Sequence, residues 1–187
     1  YEEPILTISM HRYGFGFFPG SGSEKELGEG EGLGYNMNVP MPVGTTDDQY
    51  LRALTEVVVP ALKTYKPQFI LHQFGVDGHY ADPLVGLGLT TRGYEKIVSI
   101  THDLSHQLCN GKYMVVGGGG YNIDAVRRSW SVMFCTLSQS YPSQDQYLAL
   151  HDQQRPQPRK ENGERVEEVV GYLKNEALPL LKEKATA

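Results

Sequence analysis

Positions 113–121 read YMVVGGGGY, an apolar run that ends in four consecutive glycines, and the residues that follow place Val126, Trp130 and Met133 on one helical face from about Asn122 onward. A strand that dissolves into glycine and re-forms as a helix is a building unit of α/β architecture, and the chain contains it twice. QFILHQFG, after Pro67, reads as a strand, and VDGHYADPLVG follows as a loop. A helix then runs from about Thr91 to Cys109 and is closed by Asn110 and Gly111. Strand, helix, strand, helix predicts a parallel sheet flanked by helices. Ligands of such sheets gather in loops at the carboxyl ends of the strands.

Upstream, LTISM and YNMNVPM read as strands, with Pro40 marking the end of the second. Between them lies the glycine-rich stretch HRYGFGFFPGSGSEKELGEGEGLG, which has no period of its own. Thr46, Asp47 and Asp48 predict a helix start, and Leu51, Leu54, Val58, Ala61, Leu62 and Tyr65 recur at helical spacing, with a kink expected at Pro60. We read residues 1–150 as one α/β unit and 151–165 as a polar linker containing QQRPQPRKENGER. Residues 166–187 then form an amphipathic helix whose stripe of Val166, Val169, Val170, Leu173, Ala177 and Leu181 docks back on the domain.

At 187 residues the chain is long enough for one core, and its net charge of −5 argues against a nucleic-acid surface, which needs clustered Lys and Arg. No apolar stretch approaches the ~20 residues of a membrane span. Cys109 and Cys135 form neither a disulfide framework nor a zinc-binding pattern, which fits a reducing cytoplasm. The chain opens at Tyr1, without Met or a preceding cap, and is expected to be a fragment.

Gly117–Gly120 has the form of an anion cradle, yet neither GxGxxG nor GxxxxGK[ST] occurs. Four glycines imply backbone lying against something, a substrate among the candidates, with Tyr121 at the edge. His102 and His106 in HDLSH imitate a zinc helix, but Leu104 and Leu108 each fall within about 20° of Ile97 on the opposite side of the wheel, so both histidines are expected in solvent. Asp77, His79 and Asp82 admit two readings. They can supply oxygen and imidazole ligands to a catalytic metal, or they can cap the backbone of their own loop.

Taken together, SMHRYGFGFFPGSG, QFGVDGHYADPLVGLGLTTRGY and VVGGGGYNIDAVRRSW, in that order, resemble the C-terminal half of the histone deacetylase superfamily, nearest to bacterial acetoin-utilisation proteins and class I deacetylases, over about Leu6 to Leu137. The resemblance implies the C-terminal part of an arginase/deacetylase-type parallel sheet flanked by helices. It also implies a zinc-dependent hydrolysis of acetyl-lysine or a related small acetylated amine. By motif, Asp82 matches a zinc ligand and Tyr121 matches the tyrosine that polarises the acetyl carbonyl. Gly118, Gly119 and Gly120 match backbone along the acyl-lysine tunnel, Phe18 an aromatic wall and Leu89 an apolar residue at the rim. Ser9, Met10 and Tyr35 match positions that contribute to potassium sites. On this resemblance Asp77 and His79 become loop-structuring residues.

The resemblance further implies that the remaining Asp and His ligands, the tandem histidine acid and base, and a second tunnel phenylalanine belong to an N-terminal half carried on the same or a separate chain. The chain alone is therefore expected to be inactive. The rival expectation is a non-catalytic binding or assembly module in which LTISM is an unpaired edge strand.

Overall fold

The computed structural model describes residues 5–186; Tyr1–Pro4 and Ala187, which the expected domain limits include, lie outside the described residues. Two pairs of parallel strands organise the chain. Strand β1 (Thr7–Arg12) pairs with β2 (Asn36–Met41) in the register Thr7↔Asn36 to Arg12↔Met41. LTISM is thus not an unpaired strand, since one of its edges is taken by β2. The strand β2 continues through Pro40 to Met41 because a proline forfeits only one ladder donor.

The helix predicted from Thr46 is continuous to Tyr65 but changes character on the way. It runs as α1 (Asp47–Ala53), a π-helical turn (Leu54–Val58) and α2 (Val59–Tyr65). The π-turn directly precedes Pro60, whose missing N–H and ring exclude an ordinary α-helical bond there. At its start the Thr46 N–H donates to Gln49 Oε1 at 3.0 Å.

Strand β3 (Ile70–Phe74) pairs in parallel with β4 (Tyr113–Gly117). Between them runs α3 (Thr91–Cys109), with the Thr90 hydroxyl oxygen accepting from the Gly93 N–H and a left-handed Asn110 at its end. Helix α4 (Ile123–Ser138) follows β4, and the Asn122 side chain accepts from the Ala125 N–H at 3.0 Å. The sheet expected from the alternation is therefore present among the described residues as two separate two-stranded parallel pairs.

After a short α5 (Gln144–Leu148), the C-terminal helix begins at Lys160, inside the stretch expected as linker: α6 (Lys160–Tyr172), a π-helical turn (Leu173–Ala177) and α7 (Leu178–Thr186). Its apolar stripe packs Val166, Val169, Val170 and Leu173 against Met37, Val39 and Met41 of β2. A second core joins Phe74, Val76, Leu89, Tyr94, Ile97 and Met133 beneath β3 and β4. Met10 touches both cores from β1.

Candidate active site

The loops leaving β3 and β4 lie side by side. The Val76 N–H donates to the Gly119 carbonyl at 2.6 Å, and a Cβ on Gly118 would lie 2.7 Å from Gly75 Cα. Gly119 is likewise closed in by the Asp77 carboxylate, and Gly120 by Val76 and Val126. The close neighbours of these glycines within the chain are the companion loop and Val126 of α4. A side chain is excluded by the Gly75 backbone at Gly118, and by the Asp77, Val76 and Val126 side chains at Gly119 and Gly120.

That contact sets Asp82 and Tyr121 together. The Asp82 N–H donates to the His79 carbonyl at 2.9 Å, which closes a tight turn. Asp82 Oδ1 accepts from the N–H groups of Leu84 (2.9 Å) and Val85 (3.3 Å), and Oδ2 accepts from the Tyr121 N–H at 2.8 Å. Asp82 is buried, whereas the Tyr121 side chain is 58 % exposed and borders a cleft of about 750 Å³. From β1, the Arg12 guanidinium donates to the carbonyls of Leu84 (3.1 Å) and Val85 (2.8 Å) and lies over the Phe17 ring.

Ser9, Met10, Phe18 and Leu89 border the same cleft. Phe18 is 86 % exposed at its mouth. Leu89 is only 2 % exposed and belongs to the second core, so it forms part of the inner wall and not the rim. Ser9 Oγ is 2.8 Å from His11 Nδ1. Tyr35 is set apart from this group; its ring packs edge-on against Tyr65 and its carbonyl accepts from the Thr7 N–H at 2.9 Å.

Asp77, Tyr50 and Tyr94 also line the cleft, although no motif marks them as a group. Burial raises the Asp77 carboxyl above the usual carboxylate range, and the nearby Asp82 charge adds to it. Burial likewise raises both phenols, with the Asp77 charge contributing to each. The Tyr94 hydroxyl is buried without a hydrogen-bond partner. Spacing alone could not have found this trio, because its members come from α1, the β3–α3 loop and α3.

His79 is fully buried, with Nε2 2.9 Å from Asp152 Oδ2 and Nδ1 accepting from the Ala81 N–H at 3.2 Å. Both ring nitrogens are engaged in holding the loop. His102 and His106 lie on α3 with Nε2 atoms 3.1 Å apart; His106 is exposed as expected, whereas His102 is half-buried and stacks on Tyr113.

A catalytic zinc takes three protein ligands and keeps a position open. Among the described residues no group of three His, Cys, Asp or Glu side chains is arranged to hold a metal ion, and Asp82, oriented by backbone N–H groups on both oxygens, offers a single carboxylate. The residues present do not by themselves fit a zinc ion.

Residues 1–137 match the histone deacetylase domain family. The chain belongs to that family. It is 38% identical over 133 residues to the acetoin utilization protein AcuC of Bacillus subtilis (strain 168), covering 70% of this chain and 34% of that protein. It is 41% identical over 150 residues to AcuC of Staphylococcus aureus (strain MRSA252), covering 80% and 38%. A probable deacetylase of Archaeoglobus fulgidus is 36% identical over 123 residues, covering 66% and 34%. The chain therefore spans about a third of the length of the curated relatives it matches.

Among solved structures, the HDA15 HD domain superposes with a TM-score of 0.74 at 29% identity, covering 97% of this chain and 47% of that one. The fold is thus an α/β domain of the arginase and deacetylase type, of which this chain is a part. No helix among the described residues is long and apolar enough to cross a membrane.

Proposed function

We propose that the chain supplies the Asp82 and Tyr121 side of a zinc-dependent deacetylase site for acetyl-lysine or a related small acetylated amine. The observation that carries this reading is the 2.8 Å bond from the Tyr121 N–H to Asp82 Oδ2, which ties a buried acidic group to the backbone of an exposed phenol that borders the cleft. A tetrahedral oxyanion needs a preorganised donor aimed at it, and the Tyr121 hydroxyl is free to serve because the residue is tethered by its backbone. Phe18 and Leu89 would flank the acyl chain, with Gly118–Gly120 presenting backbone beside it. Zinc, when bound, would supply the Lewis acid, and its other ligands and the proton-transferring histidines would come from polypeptide outside this chain.

The chain alone is then inactive. Potassium is proposed near Ser9 and Met10, and at Tyr35, whose carbonyl already accepts from Thr7. Two buried unpaired thiols, Cys109 and Cys135, suit a cytoplasmic setting.

The test is to purify the protein together with the polypeptide that completes the domain, then to measure zinc content and hydrolysis of an acetyl-lysine peptide. About one zinc per site with turnover is expected. Tyr121→Phe should lower kcat by roughly 10²–10³-fold, as loss of an oxyanion donor does, with zinc retained. Unchanged turnover, or zinc lost with the hydroxyl, would overturn the role of Tyr121. A second reading, a non-catalytic assembly module, is favoured by the exposed apolar side chains of Leu71, Met114 and Val116 on β3 and β4. A completed domain that binds no zinc and hydrolyses nothing would select it.

A further inference from the structure

Asp152 lies beyond the residues that match the family, in a stretch without periodicity, yet its side chain is only 2 % exposed. A carboxylate so buried needs its charge satisfied, and this one accepts from five donors. His79 Nε2 (2.9 Å), the Thr91 N–H (2.8 Å) and the Thr91 hydroxyl (3.0 Å) reach Oδ2. Arg128 Nη1 (2.8 Å) and the Tyr80 hydroxyl (3.4 Å) reach Oδ1. Three elements converge on it: the turn after β3, the first residue of α3, and α4. These bonds hold the Asp152 carboxyl well below the usual carboxylate range, against a burial that acts to raise it.

His79 transmits this anchorage to the site. Its Nδ1 accepts from the Ala81 N–H, so the ring hydrogen sits on Nε2 and points at Asp152. The ring stacks on Tyr80 (4.7 Å between centroids) and lies parallel to that of Tyr94 (6.5 Å). The carbonyl of the same residue accepts from the Asp82 N–H at 2.9 Å. Ring and carbonyl of His79 thus bracket the turn that ends in Asp82, and Asp152 fixes the ring.

We propose that Asp152 is a positioning residue of the deacetylase site: through His79 it sets the direction of the Asp82 carboxylate, so that a segment outside the family-matched region completes the support of the site. The proposal rests on the reading of Asp82 as a site residue, and the experiment has one arm that does not depend on that reading. In Asp152→Asn the shape is retained, but the amide presents N–H groups to donors and can no longer accept from all five.

The first arm measures amide hydrogen exchange in this chain. The N–H groups of Leu84, Val85 and Tyr121, all bonded to Asp82, should exchange about 10-fold faster or more in Asp152→Asn, as expected for loss of a charge-assisted bond, while the β1–β2 amides stay protected. His79→Gln, whose amide can still donate to Asp152 and accept from Ala81, should fall between wild type and Asp152→Asn. It serves as the probe if Asp152→Asn does not fold, and then faster exchange at the same three amides, alone, is the supporting result.

The second arm uses the completed domain and an acetyl-lysine peptide. Asp152→Asn should lower kcat about 10-fold with KM within twofold. Unchanged exchange at the three amides would overturn the proposal, as would a loss of protection shared equally by β1–β2. Inactivity of the wild-type domain would overturn the deacetylase reading, while the exchange arm would still decide whether Asp152 positions Asp82.

Discussion

The two strand pairs share parallel direction but differ in what covers them. The strand β2 is buried at every position from Met37 to Met41, with β1 on one edge and α6 across its face. In contrast, β3 and β4 bury Ile70 and Phe74 beneath the helices and leave Leu71, Met114 and Val116 exposed. Parallel sheets are normally covered on both faces. In the first pair the C-terminal helix buries β2, while β1 stays only partly buried; the second has a covered back, a bare front and the loops that carry Asp82 and Tyr121.

The comparison is broken most easily at Leu173, which is fully buried between α6 and β2. Leu173→Ala should cost about 2–5 kcal/mol in denaturant unfolding, with protection of the β1–β2 amides lost first. A loss below about 1 kcal/mol would mean that the C-terminal helix is not what stabilises that pair.

Acidification should act on the other pair. Burial depresses His72 on β3 from its usual 6.5 to about 4, and its Nδ1 lies 2.6 Å from the Tyr113 hydroxyl. Between those two values the unfolded chain binds a proton that the folded chain refuses. Stability is therefore fully present above pH 6.5 and declines as pH falls toward about 4, by at most about 1.4 kcal/mol per pH unit from this group. Unfolding curves across that window should flatten in His72→Asn; an unchanged slope would assign the loss elsewhere.

The smallest effect is expected at the bare face. Leu71→Gln should change stability by no more than about 0.5 kcal/mol, as for exposed positions generally. A larger loss that grows with protein concentration would show that copies of the chain cover this face in solution.

The legible parts of the sequence were those with local chemistry. Helix α3 starts at Thr91 and closes at a left-handed Asn110 as expected, and α4 starts after Asn122, which caps it. The motifs singled out Asp82 and Tyr121 separately, and neither shows that the two meet through a backbone N–H. The start at Lys160 was hidden because KENGER offers no apolar residue before Val166 and contains Asn162-Gly163, which reads as a break. In the fold Asn162 is buried and donates to the Val43 carbonyl at 2.7 Å, so its polarity is spent on tertiary contact. The division into two strand pairs was not legible at all, since alternation fixes strand direction and leaves lateral order open. Asp152 carried no signal because its partners are brought together only by the fold.

The peptide unit between Leu84 and Val85 has its carbonyl on the Arg12 guanidinium and its N–H on Asp82. A cation drawing electrons from the oxygen makes the nitrogen a stronger donor, as in any chain of hydrogen bonds. One amide thus links Arg12 on β1 to Asp82 in the loop after β3, and the guanidinium polarises a bond in which it takes no direct part. Loss of the Arg12 guanidinium should therefore weaken the bond from the Val85 N–H to Asp82 through the peptide that joins them.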